Sequence, residues 1–271
     1  MRVGFFLFVL LFAPDALAWG LQTHVFLAQW LLAAVPLADP QIRAAALRLP
    51  RLVLAGACLP DLALAGRMLG LATFRRAHQW STLRRLAAAC WDEERAIAVG
   101  YASHLLADVV AHNRFVPEHE QRIVDVPHVT HAICEWAMDE HVKKDLTIPP
   151  AELLRGEIQT LADAAARTFR CGETPVRRGI LFLARAEWML RASRLPRLCG
   201  GTMKLLQGST AAPFDAYMSD ARAMIGQIEA VLHGEEPRMQ PEPGPEENQT
   251  IRNEAAAMSA PSAPPAITSL G

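Results

Sequence analysis

Apolar residues recur along most of this chain at intervals of three and four, the spacing that lines one face of an α-helix. The first such stretch runs from Gly20 to about Val35. Asp39-Pro40 is a capping residue followed by a first-turn proline and opens a second helix to about Leu49. The same pattern predicts helices over Arg75–Cys90, Trp91–Asn113, His128–Lys144, Pro150–Phe169, Pro175–Arg194 and Pro213–Leu232, with Thr174-Pro175 as another cap-plus-proline start. Alternating β-branched runs of the kind that make strands are missing. The expected fold is all-α: a single helical, bundle-like domain.

Two ends depart from this periodicity. Residues 1–18 read as a signal peptide, with Arg2 as the basic start, Val3–Ala13 as the apolar core and Ala16-Leu17-Ala18 as the cleavage site. Cleavage there would make Trp19 the first residue, and the mature chain would be exported, periplasmic or secreted. From residue 235 the pattern fails and Pro, Glu, Ala and Ser take over, so 235–271 is expected to be a disordered tail behind a body of 19–234. The apolar run Ile180–Leu190 is interrupted by Arg185 and Glu187, which argues against a membrane span.

Charge changes the picture little. The net charge is −1, and six Glu against two Arg give the tail −4, leaving +3 for the body. So mild an excess does not favour nucleic acid as a partner. Five cysteines (58, 90, 134, 171 and 199) form no C-x-x-C pair, so a cysteine zinc cluster is not expected. One disulfide, Cys171–Cys199, is a candidate.

The chemistry lies in the histidines and carboxylates. His104, Asp108 and His112 fall at about 0°, 40° and 80° around one helix, a single face. His104 and His112 are roughly 12 Å apart along the axis, too far to share an ion with bonds of about 2.0–2.1 Å. Asp108, one turn from each, suits a bridge between metals. His131 and Glu135 form a second pair four residues apart, with His128 an alternative to His131. His24, Asp61 and His78 are isolated candidates; taken alone, Asp61 reads as a helix N-cap and His78 as a half-exposed histidine. Arg75, Arg76, Arg84 and Arg85 flank His78 and read as a solvated face or a phosphate attractor. His119, His141 and His233 read as solvated.

The order Trp19, His24, Asp61, His78, His104-x-x-x-Asp108, His112 and His131-x-x-x-Glu135 resembles the zinc-dependent phospholipase C family, which also includes S1/P1-type nucleases. The resemblance covers roughly Trp19 to Glu135. In the secreted phospholipases and the nucleases more residues separate the motif Asp from the next His. The spacing here, with Gly20-Leu-Gln-Thr-His24, is more similar to the phospholipase domain of glycosylphosphatidylinositol-specific phospholipase D.

The resemblance implies a phospholipase C / P1 nuclease-like fold and two or three zinc ions. Trp19 (through its terminal amine and carbonyl), His24 and Asp108 would hold one ion. Asp61, His78, His104 and Asp108 would hold its neighbour, and His112, His131 and Glu135 a third. Asp61 would orient or deprotonate a water. The expected activity is hydrolysis of a phospholipid or other phosphodiester, with a membrane surface as a compatible partner. A nuclease of the same architecture is the alternative enzyme, though two tyrosines leave little for base stacking. A non-catalytic, metal-stabilised binding protein is the alternative outside enzymes.

Overall fold

The computed structural model describes residues 20–89, 91–120, 127–207, 212–244, 247 and 249–251. Among them the regular elements are helices and no strand occurs. The first are α1 (Leu21–Ala34), α2 (Pro40–Arg48), α3 (Pro50–Gly56) and α4 (Leu62–Leu69). A 3-10 turn over Ala72–Arg76 leads to α5 (Trp80–Ala87) and α6 (Asp92–Val110). A π-helical turn (Ala111–Phe115) joins α6 to α7 (Val116–Glu120). Next come α8 (Pro127–Val142), α9 (Pro150–Gly156), α10 (Ile158–Phe169) and α11 (Glu173–Ala192). The set ends with α12 (Leu195–Gln207), α13 (Ala212–Ile225) and α14 (Ile228–Leu232).

α6 is the axis of the molecule. It is buried without interruption from Ala96 to Val110, and α1, α2, α3, α5, α13 and α14 all pack on it. A helix apolar on every side must be enclosed in this way. Asp92, Glu93 and Glu94 occupy its first turn, where carboxylates complement the positive end of the helix dipole. α3 crosses α6 at backbone contact: a β-carbon on Gly100 would lie 1.9 Å from the Val53 carbonyl oxygen, and one on Gly56 would lie 2.5 Å from that of Ile97. Only glycine permits so close an approach.

Several boundaries differ from the periodicity reading. Asp39 caps α2, accepting from the amides of Gln41 (2.8 Å) and Ile42 (3.0 Å). α11 instead starts at Glu173 after Gly172, so Thr174 lies inside the first turn rather than at the cap. The stretch 150–169 breaks at Glu157, and 213–232 breaks between Ile225 and Ile228. The stretch 75–90 is a 3-10 turn, a loop and a short helix, with α12 appearing where no helix was expected. Residues 1–19, with the expected signal peptide and Trp19, lie outside the described residues, as do 252–271 of the expected tail. Residues 236–244, assigned by composition to that tail, contact the body: Glu236 pairs with Arg84 at 3.1 Å, and Pro241 and Pro243 are buried. No helix among the described residues is long and apolar enough to cross a membrane.

Candidate metal centre

Five of the candidate residues converge on the middle of α6. His24 arrives from α1, Asp61 from the N-cap position of α4, His78 from the turn before α5, and His104 and Asp108 from α6 itself. Asp61 makes no capping bond with its side chain. His24, His104 and Asp108 are fully buried, and His78 and Asp61 are 4% and 6% exposed. Two triads bring one ligand atom each within 4.8 Å of one another: His24, His104 and Asp108, and Asp61, His78 and His104.

His104 fixes the electronic character of this cluster. Its Nδ1 lies 2.7 Å from the Ala57 carbonyl oxygen, which only accepts, so Nδ1 carries the hydrogen. In the neutral ring Nε2 is therefore a bare lone pair. It points at Asp108 Oδ2 (2.9 Å) and at His78 Nε2 (3.2 Å). A lone pair facing a carboxylate is repulsive unless a cation lies between them. With Nδ1 committed to Ala57, His104 offers one nitrogen, and hence serves one ion of the two triads.

Asp108 gives the same indication. Its oxygens lie 3.4 Å from His24 Nε2, 3.5 Å from His78 Nε2 and 2.9 Å from His104 Nε2. Neither oxygen accepts a hydrogen bond of ordinary geometry. A buried carboxylate without donors is costly, and burial pushes its pKa up against the opposing pull of His104 and His78. Imidazole nitrogens and carboxylate oxygens form the donor set zinc prefers, so the cluster fits that ion. On His78, burial works against a proton, but Asp61, Asp108 and Glu242 outweigh it and push the pKa up to about 9. In the metal-free protein that proton supplies the missing positive charge.

The remaining candidates form a looser group beside it. His112 sits in the π-helical turn, with its ring centroid 5.2 Å from that of His131. His131 Nε2 lies 3.2 Å from Glu135 Oε1 on α8. These three are neighbours without closing to the 4.8 Å of the two triads. Burial, reinforced by the charges of His131, His78 and His104, lowers the His112 pKa well below the usual range, favouring the neutral, ligating form. Burial raises that of Glu135. π-helical turns of this kind occur frequently at functional sites.

Other expectations are corrected by the packing. His119 is buried rather than solvated, with Nδ1 2.6 Å from the Phe115 carbonyl oxygen and its ring against Phe115 and Tyr217. His141 pairs with Asp215 at 3.0 Å. The side chain of His128 and the whole of Cys90 lie outside the described residues. Cys171 and Cys199 are free thiols, so the candidate disulfide is not formed. Of the arginines flanking His78, Arg84 meets Glu236 and Arg85 donates to the Thr168 carbonyl, while Arg75 and Arg76 are exposed.

Sequence reasoning missed three supports. The Ala57 carbonyl is backbone and carries no residue signal. Glu242 lies in a stretch read as tail, yet its Oε2 is 3.9 Å from His78 Nδ1. Asp139 on α8 accepts from the Thr23 amide (2.9 Å) and hydroxyl (2.8 Å), capping α1 from another helix because Gly20 has no side chain to do so. Arg191 joins Asp139 to Glu187, which accepts from Gln22 at 3.1 Å. The charges inside the apolar run of α11 were the available hint of this network.

A family model described as zinc dependent phospholipase C matches residues 23–171, more than half of the chain. The match takes in eight of the nine candidate ligands, His24 to Glu135, and leaves out Trp19. No curated protein and no solved structure shows a significant match.

Proposed function

Because the chain belongs to the zinc-dependent phospholipase C family, we propose that it is an exported zinc-dependent phosphodiesterase that hydrolyses phospholipid head-group phosphodiesters. The observation that carries the metal reading is the bare Nε2 of His104 set 2.9 Å from an Asp108 carboxylate that accepts no hydrogen bond. The phospholipid reading rests on the family, and export rests on the Ala16-Leu17-Ala18 sequence.

In this reading His24 and Asp108, with Trp19, would hold one ion. Asp61, His78, His104 and Asp108 would hold the second, and His112, His131 and Glu135 a third. Bound zinc acidifies water to a pKa of about 7 and offsets the charge of phosphoryl oxygens. The chain's own residues prepare that chemistry. Ala57 locks His104 in the tautomer whose Nε2 is free to coordinate. His78 surrenders the proton that the surrounding carboxylates hold on it in the metal-free state. Asp61, less deeply buried than Asp108, accepts a proton from the attacking water at its carboxylate.

The test is turnover of a phosphatidyl substrate by the purified protein, its loss on chelation and its return with zinc. Cleavage of single-stranded nucleic acid but not phospholipid would replace the substrate class by that of a nuclease. Zinc binding without turnover of either would leave a metal-stabilised binding protein. Turnover indifferent to chelation would remove the metal mechanism.

A further inference from the structure

The C-terminal segment after α14 does not leave the body at once. Glu236 pairs with Arg84 on α5 at 3.1 Å. The Gln240 carbonyl accepts from Asn113 in the π-helical turn at 3.0 Å, next to His112. Pro241 and Pro243 are buried. Glu242, between them, places Oε1 3.1 Å from Arg67 on α4 and Oε2 3.9 Å from Nδ1 of His78. The segment thus crosses between elements that carry candidate ligands. Its prolines at 237, 241 and 243 restrict the chain before it docks, which lowers the entropy lost on ordering it.

His78 turns Nε2 into the cluster, toward Asp61, Asp108 and His104, leaving Nδ1 to face outward. Histidine ligands are usually held at this outer nitrogen by a carboxylate or carbonyl, which fixes the ring and raises its basicity. His104 has the Ala57 carbonyl in that place. We infer that Glu242, at ion-pair rather than hydrogen-bond distance from Nδ1, is the positioning residue for His78, so that residues 236–244 form a strap completing the metal centre from the C-terminal side. Arg67 steers the Glu242 carboxylate and keeps it from turning to solvent. The strap rests on the proposed metal reading, and its contribution is to metal affinity rather than to the chemical step.

The experiment is zinc affinity of the full chain, by competition with a chelating dye, for the parent and Glu242→Gln. Glu242→Gln keeps the shape of a half-buried side chain, so the zinc-free protein should stay folded, with a melting temperature lowered only modestly by loss of the charge facing Arg67 and His78. Zinc should bind about 10–100-fold more weakly, the loss typical of an outer-shell partner. The ligand-field spectrum of cobalt in the same site should shift. In a His78→Ala background, Glu242→Gln should cost nothing further, because the carboxylate acts through that imidazole.

Unchanged zinc affinity in the single variant would overturn the inference, as would the same loss in the His78→Ala background. Unchanged affinity with faster turnover would also overturn it, marking the segment as a cover over the site. If the parent binds no zinc, the metal reading itself fails. A parent that binds zinc no better than Glu242→Gln sinks the strap alone.

Discussion

At the scale of single residues, Asp108 and His78 carry the most informative expectations. Asp108 belongs to one triad and lies within 3.5 Å of nitrogens from three histidines, including His78 of the other, which places it to bridge the two proposed ions. Asp108→Asn should remove zinc from both, whereas Glu135→Gln touches only the group around His131. Elemental analysis of the two purified variants separates these outcomes, and equal loss of one ion in each would end the bridging assignment. His78 sets the response to pH. Its folded, metal-free pKa of about 9 lies above the ordinary 6.5, so the folded protein holds the proton more tightly than the unfolded chain. That stabilisation is whole below about pH 6.5 and is lost as pH rises through about 9. The zinc-free protein should therefore melt at lower temperature across this window. Zinc affinity should run the opposite way, rising roughly tenfold per pH unit, because the departing proton competes with the metal. Melting curves and zinc titrations over the same pH series check both.

At the scale of elements, the crossing of α3 over α6 decides whether His104 is correctly held. Gly100 lets the Val53 carbonyl approach, and the same crossing brings the Ala57 carbonyl to His104 Nδ1. Gly100→Ala forces a β-carbon against backbone, which cannot rotate away as a side chain would. The expected cost is about 3 kcal/mol, together with weaker zinc binding from the displaced Ala57 carbonyl. Denaturant unfolding and zinc titration measure the two losses. A variant of parental stability would show that the helices separate at little cost. The start of α1 depends likewise on a partner, since Asp139 supplies the cap that Gly20 cannot. A β-carbon on Gly20 would meet that carboxylate at 2.2 Å, so the approach and the cap come as one arrangement.

At the scale of the whole molecule, both ends of the chain bear on one centre in the proposed reading. The proposed ligand set includes the terminal amine of Trp19, and that amine exists only after cleavage behind Ala18. A free α-amine has a pKa of about 7.7–8.0 and gives up its proton to a metal at modest cost, whereas a peptide nitrogen is a poor donor. Protein beginning at Trp19 should hold more zinc and turn over faster than protein carrying a methionine before it. Mass analysis of the N-terminus must accompany the comparison. Equal zinc content in the two verified forms would remove Trp19 from the set.

The amino-acid order by itself determined the helical class, because a 3.6-residue apolar period has one common solution, and it placed His104 and Asp108 on one face through helix geometry alone. It also named His24, Asp61 and His78, through the order in which they follow one another. Their convergence was decided only in the tertiary structure, because residues as far apart as His24 and His104 meet through the packing of α1 and α3 against α6. The tautomer of His104 depends on a backbone carbonyl that has no letter in the sequence. His119 looked solvated because it stands between two glutamates with no ligand partner four residues away, and burial against Tyr217 comes from a helix nearly a hundred residues later. Residues 236–244 looked like free tail because prolines and glutamates show no periodicity. Docking there depends on Arg67, Arg84 and Asn113, partners that only the folded body brings together.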